Sequence, residues 1–178
     1  MTTKKVVITG GPGTGKSSII NELKQRGHCC MDEISRQITL QAQHDGVSQL
    51  FLTNPLLFSE LLLKGRVAQF NDANTLSADM VFFDRGIPDI LAYMHYIGNK
   101  YPENFTTASK HCSYDTVFIL QPWKAIYQND NERYESFEEA KDIYKHLLET
   151  YTHFNYKPIH VPFGTVKQRC DFILHTLY

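Results

Sequence analysis

Eight consecutive residues constrain this chain more than any other feature: Gly10-Gly11-Pro12-Gly13-Thr14-Gly15-Lys16-Ser17 satisfies G-x-x-x-x-G-K-[ST]. The pattern carries chemistry only between a strand and a helix, and the flanks supply that setting. Val6-Val7-Ile8 is a short β-branched run suited to a strand buried on both faces, and Ile19, Ile20 and Leu23 follow at helical spacing until Gly27. There the glycines let backbone N–H groups turn inward around phosphate oxygens, and the helix amino end adds partial positive charge. Gly11, Pro12, Gly13, Thr14, Gly15, Lys16, Ser17 and Ser18 are therefore expected to hold ATP or a close relative. Lys16 would reach the β- and γ-phosphates, and the Ser17 hydroxyl would hold Mg2+.

The rest of the chain continues the alternation. A short strand over about Cys29 to Met31 precedes helical sequence from Glu33 to about His44. Asn54-Pro55 then offers an N-cap with proline at the first helical position, opening an apolar helix through about Phe70. Met80-Val81-Phe82-Phe83 and Thr116-Val117-Phe118-Ile119-Leu120 are continuous apolar runs that fit central parallel strands. Ile87 to about Ile97 reads as helix, and residues 98–113 as a connection with one more helical turn. Ser136 with Glu139, and Thr165 with Gln168, have capping-box spacing before helices, and Ile159-His160-Val161 reads as the last strand. Five strands alternating with helices predict an α/β domain with a parallel sheet, one domain over residues 1–178, with the polar stretch 123–135 as a loop within it.

Several side chains suit phosphoryl transfer. Asp84 closes an apolar run, where a carboxylate can bind Mg2+ directly or through water, or serve as a base. The next residue is Arg85, not the second carboxylate of a water-activating ATPase; Arg85 suits an anionic substrate or the transferred phosphoryl group, with a structural Asp84–Arg85 ion pair as the alternative. Glu33 follows the second strand, with Asp32 beside it and Arg36 a turn later. It is a candidate proton acceptor or, equally, a helix-cap acid paired with Arg36. Arg36 and Arg85 are candidates for holding substrate charge. Arg133 in Asp130-Asn131-Glu132-Arg133 is a candidate lid arginine, or a solvated loop residue paired with Glu132 or Glu135. Trp123, the single tryptophan, either anchors that loop or fills the core, the second being the plainer expectation. Pro162-Phe163-Gly164-Thr165 stands where an adenine base would be touched, and Phe51, Phe58, Phe70, Tyr93 and Tyr96 either line an acceptor pocket or pack in the core.

Composition narrows the classes. A formal net charge of −1 with both signs interspersed speaks against a nucleic-acid partner, and the four cysteines show no metal spacing and read as reduced, mostly buried thiols. No signal-peptide pattern opens the chain and no apolar run has the length of a membrane span, so a cytoplasmic protein with no membrane contact is expected, and a homodimer is left open. Asn99-Lys100-Tyr101-Pro102 has proline where a guanine-reading N-K-x-D element needs aspartate, and the chain is too short to add the helical lid of a ring ATPase. Transfer of a phosphoryl group to a small-molecule acceptor remains, with a nucleotide-dependent switch acting through a partner as the competing class.

V-V-I-T-G-G-P-G-T-G-K-S-S from Val6, D-E-I-S-R from Asp32, F-F-D-R-G-I-P-D from Phe82 and N-D-N-E-R-Y-E-S-F-E-E-A from Asn129 together resemble the small ATP-binding proteins of an AAA domain family. These are similar to the ribosylnicotinamide kinase domain of NAD-biosynthesis regulators and to deoxynucleoside kinases. The resemblance implies a P-loop three-layer α/β/α sandwich with strand order 2-3-1-4-5, and kinase chemistry on a nucleoside- or nucleotide-like metabolite.

Overall fold

The computed structural model describes residues 3–127 and 135–178. Its sheet has five parallel strands: β1 (Lys4–Gly10), β2 (Cys29–Met31), β3 (Met80–Asp84), β4 (Thr116–Leu120) and β5 (Ile159–Val161), in the order β2-β3-β1-β4-β5. Around it run α1 (Lys16–Gln25), α2 (Ile34–His44), the short α3 (Leu50–Thr53), α4 (Pro55–Asp72), α5 (Ile87–Tyr96), α6 (Glu103–His111), α7 (Phe137–His153) and α8 (Val166–Leu177).

Strand alternation divides the core. Val6, Ile8, Phe82, Phe118 and Leu120 face one way and pack with Ile19, Ile20 and Leu23 of α1 and Cys170 and Ile173 of α8. Val7, Val81, Phe83, Val117 and Ile119 face the other way, onto Ala92 of α5 and Ile143, Leu147 and Tyr151 of α7. Both faces are covered, which is why β3 and β4 read as continuous apolar runs without polar alternation. This is the expected three-layer arrangement and strand order. A further cluster ties Leu62 and Leu63 of α4 to Ile87, Ile90 and Leu91 of α5 and Phe105 of α6.

The capping signals operate as read: Asn54 accepts from the Leu57 N–H, and Ser136–Glu139 and Thr165–Gln168 form reciprocal capping boxes. One connection holds more helix than expected, since residues 103–111 form α6 with Phe105 fully buried. Cys112 and Cys170 are buried, whereas Cys29 and Cys30 are half-buried because β2 is an edge strand. Among the described residues no helix is long and apolar enough to cross a membrane.

Register sets the position of the chemistry. Ile8 lies opposite Asp84 on β3, and Gly10 opposite Leu120 on β4, so the glycine loop leaves the middle of the sheet with the β3 carboxylate at its side. Ligands of open parallel sheets bind beyond the carboxyl ends of the strands, where the order of connection reverses. Here that place is the carboxyl end of β1.

Candidate active site

Between β1 and α1 the backbone takes the turns that glycine permits: φ is +70° at Gly13 and +86° at Gly15, the N-cap of α1. Thr14 folds its hydroxyl back onto the Gly11 carbonyl at 2.9 Å, and Lys16 Nζ donates to the same oxygen at 2.8 Å. Lys16 is buried, and that burial, with Arg85 adding repulsion, lowers its amine to about 7 against the opposing pull of Asp84, Glu33 and Asp89. A group so poised gains full charge when an anion arrives. Ser17 and Ser18 stand exposed at the start of α1.

Asp84 ends β3 beside this loop, 8% exposed, and its Oδ1 has no hydrogen-bond partner among the described residues. Burial, reinforced by the Glu33 charge, pushes its carboxyl upward, and Lys16, Arg85 and Arg66 offset part of that rise. A buried carboxylate oxygen without a donor, next to a phosphate loop, fits a cation. Mg2+ needs only one or two protein oxygens besides phosphates and water, so the lack of any larger metal-ligating cluster among the described residues does not count against it.

On the β2 side of Asp84 a charge cluster assembles from four elements. Glu33 caps α2, accepting from the Ser35 N–H. Its carboxylate takes Arg66 of α4 at 3.0 Å on one oxygen and Arg85 at 2.6 Å on the other. Burial would raise this carboxyl, but the two guanidiniums outweigh it and hold it at about 2. Arg85 follows β3 in the left-handed region, φ +72°, pinned by its N–H to the Ile8 carbonyl at 3.1 Å. Its guanidinium also reaches Asp89 and the Gly10 carbonyl, each at 3.2 Å. Asp89 in turn accepts from Thr9 and Tyr151 at 2.5 Å and from the Gly86 N–H at 3.0 Å. A chain of hydrogen-bonded charges thus runs from α4 to the first glycine of the phosphate loop.

Of the candidates from sequence, Lys16, Asp84, Glu33 and Arg85 converge on one end of the sheet. Arg85 pairs with Glu33 and Asp89 rather than with Asp84, and the acid that caps α2 is bound by Arg66 and Arg85. Arg36 is exposed on α2. Arg133 lies outside the described residues. Trp123 departs from the core-filling expectation: it is half-buried after β4 and stacks on the exposed Phe163 after β5, centroids 5.0 Å apart, because both adjacent strands end there. Tyr93 lies under Arg85 at 5.5 Å, while Phe58 and Phe70 pack against the core.

Sequence reading missed Arg66, Asp89 and Arg169. Arg66 had a usable signal: it falls on the buried Ser59, Leu62, Leu63 face of an otherwise apolar helix, where a cation needs a partner. Asp89 had one too, at the third residue of α5, but its buried partners Thr9 and Tyr151 are remote in sequence.

Comparison with known proteins agrees with this architecture. The sequence model of the AAA domain family matches residues 5–169. Deoxyadenosine kinase from M. mycoides, solved with the products dCMP and dCDP, superposes with a TM-score of 0.67 at 19% identity over 97% of this chain and 98% of the other. The NadR protein solved in complex with NR gives a TM-score of 0.72 at 14% identity over 98% of this chain but only 50% of NadR, and its complex with NAD and AMP-PNP a TM-score of 0.69 at 15% identity over 98% of this chain and 48% of NadR. At such identities the likeness is one of fold. No curated protein matches the chain at the sequence level.

Proposed function

This chain belongs to the AAA domain family, and from that membership together with the site we propose that it is a Mg2+-dependent kinase that moves the γ-phosphoryl group of ATP onto a hydroxyl or phosphate of a small nucleoside- or nucleotide-like metabolite. The observation that carries the reading is the Glu33 carboxylate held between Arg66 and Arg85 beside Lys16 and Asp84. A hydrolase needs a group to activate water. Here Glu33 and Asp89 are instead paired with fixed cations, an arrangement that orients an acceptor hydroxyl and steadies negative charge, while Asp84 is left for the metal. The solved relatives, complexed with nucleotides and with NR, point to the same class of acceptor.

In this mechanism the loop N–H groups of residues 13–18 and Lys16 hold the β- and γ-phosphates in line with the acceptor. Ser17 and Asp84 would hold Mg2+, which when bound neutralises charge on the β- and γ-oxygens. Glu33 accepts the acceptor hydroxyl as a hydrogen bond. With its carboxyl near 2 it orients the nucleophile rather than removing a proton early, and takes the proton only late in the transfer, while Asp84 keeps the metal role. Arg85, tied to both Glu33 and the Gly10 carbonyl, sits where it can follow the phosphoryl charge from donor to acceptor.

The test is ADP release from MgATP against a panel of nucleosides, deoxynucleosides, nucleotides and nicotinamide riboside. Stimulation by one class, lost in Lys16→Ala, is the expected result. A flat panel above a Lys16-dependent background would replace the kinase by an ATPase or switch.

A further inference from the structure

Arg169 is a buried guanidinium that the transfer chemistry leaves without a role. It stands in the first turns of α8, 3% exposed, and among the described residues its Nε has no hydrogen-bond partner. No acid among the described residues pairs with it, and burial presses its pKa below the usual value. An unneutralised cation in the interior is costly, so it persists where something else requires it.

Its contacts point to one place. Nη2 donates to the Thr14 carbonyl at 3.0 Å, and Nη1 lies 2.9 Å from where a Cβ on Gly15 would stand. The described chain has no cis peptide, so the C=O of Thr14 and the N–H of Gly15 lie in one plane and point in opposite directions. A donor that grips the carbonyl from the α8 side therefore aims the Gly15 N–H at the concave side of the loop, where phosphates bind. The charge also polarises that peptide and makes its N–H a stronger donor.

We propose that Arg169 is a positioning residue for the nucleotide's phosphates, acting through the Thr14–Gly15 peptide from the far end of the chain. The inference rests on residues 10–17 being the phosphate loop. It requires that the effect of Arg169 scale with phosphate content and not with the base. It also makes Arg169 and Gly15 a matched pair, since a side chain at Gly15 would occupy the space of the guanidinium.

The experiment is calorimetric titration of Arg169→Met, Arg169→Lys and Lys16→Ala with ATP, ADP and adenosine in Mg2+, with melting of the free proteins. Arg169→Met is expected to weaken ATP and ADP by about tenfold, the scale of one hydrogen bond to a charged donor. It should leave adenosine unchanged and not lower the melting temperature of the free protein, and Arg169→Lys should recover part of the loss. Wild-type affinity for ATP and ADP in the Met variant would overturn the proposal, as would a loss shared by adenosine or matched by a drop in melting temperature. If the Met variant does not fold, the Lys variant decides: a loss confined to ATP and ADP supports the proposal, and a uniform loss or none overturns it. ATP affinity that survives Lys16→Ala would sink the phosphate-loop reading itself, a result distinct from failure at Arg169.

Discussion

The two halves of the site are built by different means. Residues 10–17 are contiguous, and what they offer a ligand is mostly main chain: N–H groups turned inward by glycine conformations and one lysine. The cluster of Glu33, Arg66, Arg85 and Asp89 comes from an α2 cap, α4, the turn after β3 and α5, and offers only side chains, each fixed by the charge of the next. The difference teaches that the first half tolerates loss of individual side chains other than Lys16 and the metal-holding Ser17. The second fails as a unit, because removing one member leaves a buried charge without its partner.

The largest expected effect falls in the contiguous half. Lys16→Ala should weaken MgATP by on the order of a hundredfold in calorimetry, and an affinity within a few-fold of wild type would break the comparison. In the assembled half, Glu33→Gln should cost about 3 kcal/mol in urea unfolding, because it strands the buried Arg66 and leaves Arg85 with Asp89 alone. It should also lower kcat while sparing ATP affinity. Arg66→Met alone should cost a similar amount, and the double variant Glu33→Gln/Arg66→Met clearly less than the sum. Strict additivity would mean that the two side chains are independent.

A pH dependence of the same pair follows next in size. The Glu33 carboxyl is held at about 2 in the folded chain against 4.5 for a free one, so its contribution is complete above pH 4.5 and is lost as pH falls towards 2. Acid unfolding of wild type should therefore have a steeper component in that window than Glu33→Gln; superimposable profiles would remove the pair from the folded state's charge balance. Smallest of all, Asp32→Asn, next to Glu33 but exposed and paired with Lys24 at the surface, should change stability by less than about 1 kcal/mol.

How much could be read in advance follows the same division. The loop, its lysine and the strand before it were legible because their signals lie within a dozen residues. The strand count and the caps at Asn54, Ser136 and Thr165 were legible because capping and apolar runs are local. Arg66 was legible only as a cation on an apolar helix face that needs a partner; which partner was not, because Glu33 lies 33 positions away. Nor was α6, whose Thr106, Thr107 and Ser109 are weak helix formers; burial of Phe105 overrides them. For Trp123 core filling was only the plainer of two expectations, and its partner Phe163 is brought to it by two strands that meet only in the sheet. Contacts made by topology leave no spacing to read.

The most direct test of the central claim is to follow the γ-phosphoryl group itself. With γ-labelled ATP, Mg2+ and the nucleoside that most stimulates ADP release, the label should appear on that compound, and Lys16→Ala should abolish the transfer. Label recovered only as inorganic phosphate, whichever compound is present, would contradict the kinase reading and leave an ATPase in its place.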